Sequence, residues 1–428
     1  MGQVTDILKD VEIPHFYRVT QKVRHDNCGD AAEALRRALA RPGTLDRIKP
    51  GMRVAITGSS RELANIVTLM RTLAIAIRER GAEPFVVPAM GSHGGATAEG
   101  QRKLLAGYGV YEENIGMPVL SSMETRVVGH TVDGLPVHVD ANALDADCII
   151  PFGRIKAHTD FRGDYESGIM KMMVIGLGKQ HGAGICHSQG YGRFAHNIYE
   201  IGRKVIETCK IGFGLGVIEN PFHETYAIHA IPAERILEEE PPLLVQAKAI
   251  MPKIPFEKVD ILMVDESGKD ISGNGMDSYV IGRSVHLGQS APYINRIGVL
   301  RLSEKTGGSF AGIGHADLIT RKLFERGDMD ETYPNCITCH LPMMAAIPPV
   351  MDTDRQCLQG CIYTCTERAP AGQRIVWIHN TLSLETFYIS AGLLDEACAN
   401  PALTVSDGVY LPRFNGDEDF CGFDPAEA

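Results

Sequence analysis

The sequence predicts an α/β protein with two α/β domains, mostly parallel, helix-covered sheets and an active-site cleft between the domains. Three observations carry this. Strand, loop and helix patterns alternate twice between residues 52 and 105, the order that builds parallel sheets flanked by helices. The pattern restarts after Pro252-Lys253-Ile254-Pro255, which suits neither helix nor sheet and reads as a linker. The length, 428 residues, exceeds one ordinary domain. The expected division is 1–256 and 257–428, with the acidic end of the chain from Phe414 folding back onto the first domain.

Taken in order, Gly29 to Leu39 reads as a helix ended by Pro42 and Gly43. Met52 to Thr57 is a strand, Gly58-Ser59-Ser60 a turn, and Glu62 to Arg80 a helix with apolar residues at helical spacing. A strand over Glu83 to Pro88 leads through a glycine-rich loop to a helix from about Ala98 to Leu105. Asp145 to Phe152 reads as a short buried strand. Gly153 to Gly192 then carries nine glycines among His158, Lys171, His181 and His187. Interior glycine weakens helices and strands, so this stretch is expected to be backbone bent around a ligand at a strand's carboxyl end. Arg193 to Thr208 is an amphipathic helix, followed by strands over Gly212 to Ile218 and Tyr226 to Ile231 and a long helix, Ala233 to Met251, interrupted near Pro241-Pro242. Beyond the linker, strands are expected at Val259 to Val264, Arg296 to Leu302 and Arg374 to His379, with helices over Ala316 to Arg326 and Asp354 to Glu367.

Forty-two basic against 53 acidic residues give a net charge of −11, which disfavours nonspecific nucleic-acid or anionic-membrane binding. The N-terminus shows no signal-peptide pattern and no apolar run is long enough to cross a bilayer. Eleven scattered cysteines suit reduced thiols, so a cytoplasmic location is expected.

The chemistry-bearing residues sit at element ends. His93, in Gly91-Ser92-His93-Gly94-Gly95, follows one strand and His158 another, and a lone loop histidine is commonly just solvated. A pair of imidazoles titrating near neutrality, however, suits removing a proton from one face of a substrate and returning it on the other. Lys171 lies among apolar residues, where it either snorkels to water or is held for chemistry as a neutral amine. His181 and His187, six residues apart, do not have the spacing of a helical metal pair, and one of them alone could supply a single metal bond. Arg61 could grip a carboxylate with two parallel hydrogen bonds or pair on its helix's first turn; Lys269 ends the first strand of the second domain. Cys336, Cys339, Cys357, Cys361 and Cys365 could be drawn as a zinc or iron–sulfur site, but the last three recur every four residues and read as a packed helical stripe.

Together these residues resemble the lactate racemase family that uses a nickel-pincer nucleotide. His158 stands 65 positions after His93, as do that family's acid/base histidines. Ser167-Gly168-Ile169-Met170-Lys171 resembles its Ser-Gly-Gly-x-Lys motif, with Ile169 in place of the second glycine. His187, sixteen positions after Lys171, matches the nickel ligand, and Arg61 the substrate-carboxylate arginine, although Thr57-Gly58-Ser59-Ser60-Arg61-Glu62 lacks the family motif's two acids. Lys269 resembles the family's lysine in the second domain. The resemblance implies a racemase or epimerase acting on a small-molecule 2-hydroxy acid. Its implied cofactor is a nickel-pincer nucleotide bound through Lys171, supplied by cofactor-biosynthesis enzymes. The loss of both acids, with Gly58 and Ser59, is expected to enlarge or neutralise the region beside Arg61.

Overall fold

The computed structural model describes residues 2–285, 287–366 and 372–426. The chain forms two compact units, one of Arg24–Met251 and one that joins Met1–Val23 to Pro252–Ala428. The expected division at 256 differs from this at the N-terminus. Phe16–Gln21 alternates buried and exposed side chains, and it pairs antiparallel with both Thr386–Ser390 and Leu403–Phe414. Hydrogen bonding across nearly the whole chain length thus overrides proximity in sequence. The end of the chain completes this sheet as an antiparallel hairpin of Leu403–Phe414 and Phe420–Pro425.

The sheet of this unit has nine strands. Five run parallel, from Val350–Met351 through Leu318–Thr320, Tyr293–Leu302 and Lys258–Ser267 to Ile375–Ile378, and the remaining four form an antiparallel wing. The expected helix over Ala316 to Arg326 is a short strand, Leu318–Thr320, followed by a helix, Arg321–Arg326, whose N-terminus is capped by the Thr320 side chain. Cys357, Cys361 and Cys365 are buried on and just beyond the helix Asp354–Thr364, packed with Leu358 and Trp377, as the striped spacing suggested. Residue 367, the expected end of that helix, lies outside the described residues.

Within Arg24–Met251, the parallel sheet runs Glu83–Pro88, Arg53–Gly58, Cys148–Ile150, and a second sheet joins Phe152–Arg154, Phe213–Glu219 and Thr225–Pro232. The strand expected over Asp145 to Phe152 is thus split at Pro151, which has no N–H to donate to a ladder. Helices Ala31–Leu39, Ile66–Arg78, Ala98–Gly107 and Tyr191–Thr208 flank these sheets near the expected positions. Ile66–Arg78 starts later than its apolar pattern because Asn65 adopts a left-handed conformation (φ 60°) and the Glu219 carboxylate draws the Ala64 N–H away.

Two further expectations are corrected. The glycine-rich stretch is largely helical from Ile169 onward: a single turn Ile169–Lys171, a π-helical turn Met172–Gly176 and the helix Lys179–His187. Its glycines serve close packing rather than a loop: a β-carbon at Gly176 would lie 2.9 Å from the Ala89 carbonyl oxygen. The helix Ile236–Ile250 is uninterrupted, with Pro241 and Pro242 inside it. Pro241 cannot donate to the carbonyl of Leu237, and the Tyr165 hydroxyl donates to that oxygen instead. Among the described residues no helix is long and apolar enough to cross a membrane.

Candidate active site

Three adjacent parallel strands deliver three of the candidate residues at one sheet edge. Arg53–Gly58 and Glu83–Pro88 pair in register through Gly58 and Pro88, with Cys148–Ile150 on the other side. Arg61, the His93 loop and the segment leading to His158 therefore all leave the carboxyl end, where open α/β sheets place ligands. Thr57 is fully buried, and its hydroxyl both accepts from the Phe152 N–H and donates to the Phe152 carbonyl, tying the first strand to the third segment. Beside Gly58 the space is filled: a β-carbon there would meet the Leu105 methyls at 2.9 and 3.0 Å.

The two histidines are held in opposite tautomers. His93 Nδ1 lies 2.8 Å from the Met90 carbonyl, which can only accept, so Nδ1 carries the proton and Nε2 keeps a lone pair. His158 Nδ1 instead accepts from the Asp160 N–H at 3.0 Å, so its neutral ring carries the proton on Nε2. The His158 backbone is fixed as well, its N–H donating to the buried Glu166 carboxylate and its carbonyl accepting from Arg162. Lys248 neutralises Glu166 at 2.7 Å.

The imidazole of His158 also shows which groups gather around it. Burial pushes its pKa well below the usual 6.5, and the charges of Lys171, His187, Arg162 and Arg61 push it further. Four of the six candidate residues, Arg61, His158, Lys171 and His187, thus share one electrostatic neighbourhood. Arg61 opens to solvent on one side and is crowded by protein on the others. Its guanidinium pKa is lowered first by that burial; Tyr108 opposes the shift and Arg154 adds to it. The loop of His93 runs beside this segment, since Gly91 packs against Ile175, between Lys171 and His187 in the chain. Lys269, half-buried with its N–H donating to Thr306, belongs to the other compact unit.

Lys171 ends a helical turn that the sequence alone did not explain. The carboxylate of Glu240, seventy residues away, caps that turn by accepting from the backbone N–H groups of Met170, at 3.0 Å, and Ile169. It fits only because residue 168 is glycine, where a β-carbon would lie 1.9 Å from the Glu240 carboxyl oxygen. Ile169 is fully buried and fills space left by two strand glycines: a β-carbon at Gly214 would fall 2.6 Å from it. At the other end of the segment, the His187 ring packs 4.6 Å from Phe194, which in turn meets Phe161 at 4.6 Å. Phe161 lies 4.5 Å from the His158 ring, so aromatic faces wall the space between the two imidazoles. Cys186, beside them, is pushed up to about 12 by burial and stays a thiol. His181 is exposed, stacked 5.8 Å from His138.

Burial pushes the Glu240 carboxyl up to about 8, against the pull of its two N–H donors. Its folded pKa lies above the unfolded value, so the folded state holds more protons between pH 4.5 and 8, and stability falls as pH rises through that window. The expected result is a loss of about 1.4 kcal/mol per pH unit that Glu240→Gln removes. Urea midpoints of both proteins at pH 6 and 8 measure this difference, and parallel pH dependences would contradict it.

Among the described residues, no group of three or more His, Cys, Asp or Glu could hold a metal ion. Residues 7–191 match the lactate racemase N-terminal domain family. Among solved structures, the lactate racemase apoprotein from Thermoanaerobacterium thermosaccharolyticum is similar, with 16% identity and a TM-score of 0.45, over 70% of this chain and 69% of that one. No curated protein matches the chain.

Proposed function

We propose, on the premise that this chain belongs to a lactate racemase-like family through residues 7–191, that it is a racemase or epimerase inverting C2 of a 2-hydroxy acid with the help of a lysine-bound nickel-pincer nucleotide. The observation that carries the proposal is the convergence of Arg61, Lys171 and His187 on His158. The donor set fits such a cofactor. His187 offers one metal bond and Lys171 an amine for covalent attachment, and the remaining metal donors would come from the bound group itself. When bound, the pincer supplies an acceptor that takes the C2 hydrogen as hydride and gives it back. Cofactor-biosynthesis enzymes would then be the partners that provide it.

The chain's own residues supply recognition and proton movement. Arg61 takes the substrate carboxylate with two N–H groups. His93, with its lone pair on Nε2, is preset to accept the hydroxyl proton. His158 holds Nε2–H for a hydrogen bond to the substrate oxygen and, once charged as imidazolium, is made a strong proton donor by its lowered pKa, returning to the neutral ring as it gives the proton up. The Phe161 and Phe194 rings cover the His158 and His187 imidazoles.

A 2-hydroxy acid deuterated at C2 tests this reading. The inverted product should keep its deuterium, whereas exchange of the label with solvent during inversion would show proton abstraction from carbon instead.

A further inference from the structure

Lys179 is fully buried, although it plays no part in the chemistry proposed above. It begins the helix that ends at His187, with a left-handed backbone (φ 54°) that side chains other than glycine adopt at a cost. The turn before it is equally confined: a β-carbon at Gly178 would lie 2.3 Å from the Val174 carbonyl oxygen. The ammonium group of this lysine reaches three polar partners. Nζ donates to the carbonyl of Pro88, the last residue of the strand from which the His93 loop departs, and to Gln101 Oε1 at 3.4 Å. Gln101, itself fully buried, donates its amide to the carbonyls of Gly91 and His93 at 2.9 and 3.2 Å. Asp140 completes the cluster, 2.9 Å from Nζ with no solvent access on either side chain, while its N–H donates to Leu177, two residues before Lys179. Burial lowers the Lys179 amine and raises the Asp140 carboxyl, and each partner's charge opposes the other's shift.

We propose that Lys179 is a positioning residue: with Asp140 and Gln101 it locks the loop carrying His93 to the segment carrying Lys171 and His187. The remaining contacts between the two segments are packing contacts, such as Gly91 on Ile175 and Ala183 and Gly176 on Ala89. The inference rests on the racemase reading for its catalytic consequence, but the linkage itself can be tested without it.

The test uses the full chain without cofactor and compares the wild type with Lys179→Met/Asp140→Asn, which removes both buried charges together. The readout is the rate of His93 modification by diethyl pyrocarbonate, followed by peptide mass spectrometry. His196, paired with Asp133 on the surface, is the internal reference. The expected result is a several-fold change at His93 with His196 unchanged and thermal unfolding close to that of the wild type. In cofactor-loaded protein, kcat should fall by about a hundredfold with KM little altered, as a small displacement of an acid/base group predicts. Should the double variant fail to fold, Gln101→Leu, which cuts the link to the His93 loop without burying a charge, is expected to give the same selective change at His93. An unchanged His93 rate in a folded variant, or His93 and His196 changing together, would overturn the proposal. Absence of a Lys171 adduct in the wild type would count against the racemase reading alone.

Discussion

Lys171→Ala should yield a folded protein that takes up no covalent mass when produced with the cofactor-making enzymes, and that racemises no 2-hydroxy acid above background. The amine is the only group of that turn able to form the bond, and the turn is built without its side chain. Glu240 caps the backbone of Ile169 and Met170, and Ile169 and Met170 fill the core. Stability should therefore change by no more than about 1 kcal/mol, the usual range for a residue that is not part of the packing. Intact mass and thermal unfolding together check this. An adduct that persists in Lys171→Ala would place the attachment elsewhere and remove the main support for the racemase reading.

His158→Gln should lower kcat by about 10²–10⁴-fold, the usual worth of a positioned acid/base group, with much less change in KM. Glutamine can still donate a hydrogen bond to a substrate oxygen, but it cannot exchange a proton with it. The pH dependence carries a sign as well. The folded His158 pKa lies well below its unfolded value, so the unfolded chain takes up this proton first on acidification. Stability from this site is therefore complete above pH 6.5 and is lost as pH falls below it, and His158→Gln should make the protein relatively more resistant to acid. Steady-state kinetics on loaded enzyme and unfolding midpoints at pH 5 and 7 measure the two effects. An unaltered kcat would exclude His158 from proton transfer.

The parallel sheet that places these groups was legible in the sequence because its strands are continuous apolar runs bounded by glycine and proline. Arg61, His93 and His158 were legible for the same reason, since each follows such a run. The helical nature of Ile169 to His187 was not, because glycine's conformational cost is visible in sequence while the space it leaves for Ala89, Val174 or Glu240 is not. Glu240 and Lys179 were missed on similar grounds, since each acts on backbone groups far away along the chain, and Gln101 because its partners lie on an irregular loop eight and ten residues before it. The Glu240-Pro241-Pro242 string did hold a signal, because prolines inside a helix free a carbonyl that another side chain must satisfy, as Tyr165 does.

The seating of Ile169 against Gly214 and Gly216 has a consequence for how such proteins can diverge. Bulk at one position and its lack at the other two form a single packing unit, so neither side can change alone without cost. Restoring glycine at 169 would leave a void worth a few kcal/mol, roughly that of other large-to-small core changes, and a larger residue at 214 would collide with the isoleucine. Chains that carry the motif in this altered form should therefore carry both small residues on the neighbouring strand, and sequences with the unaltered motif are free of that constraint.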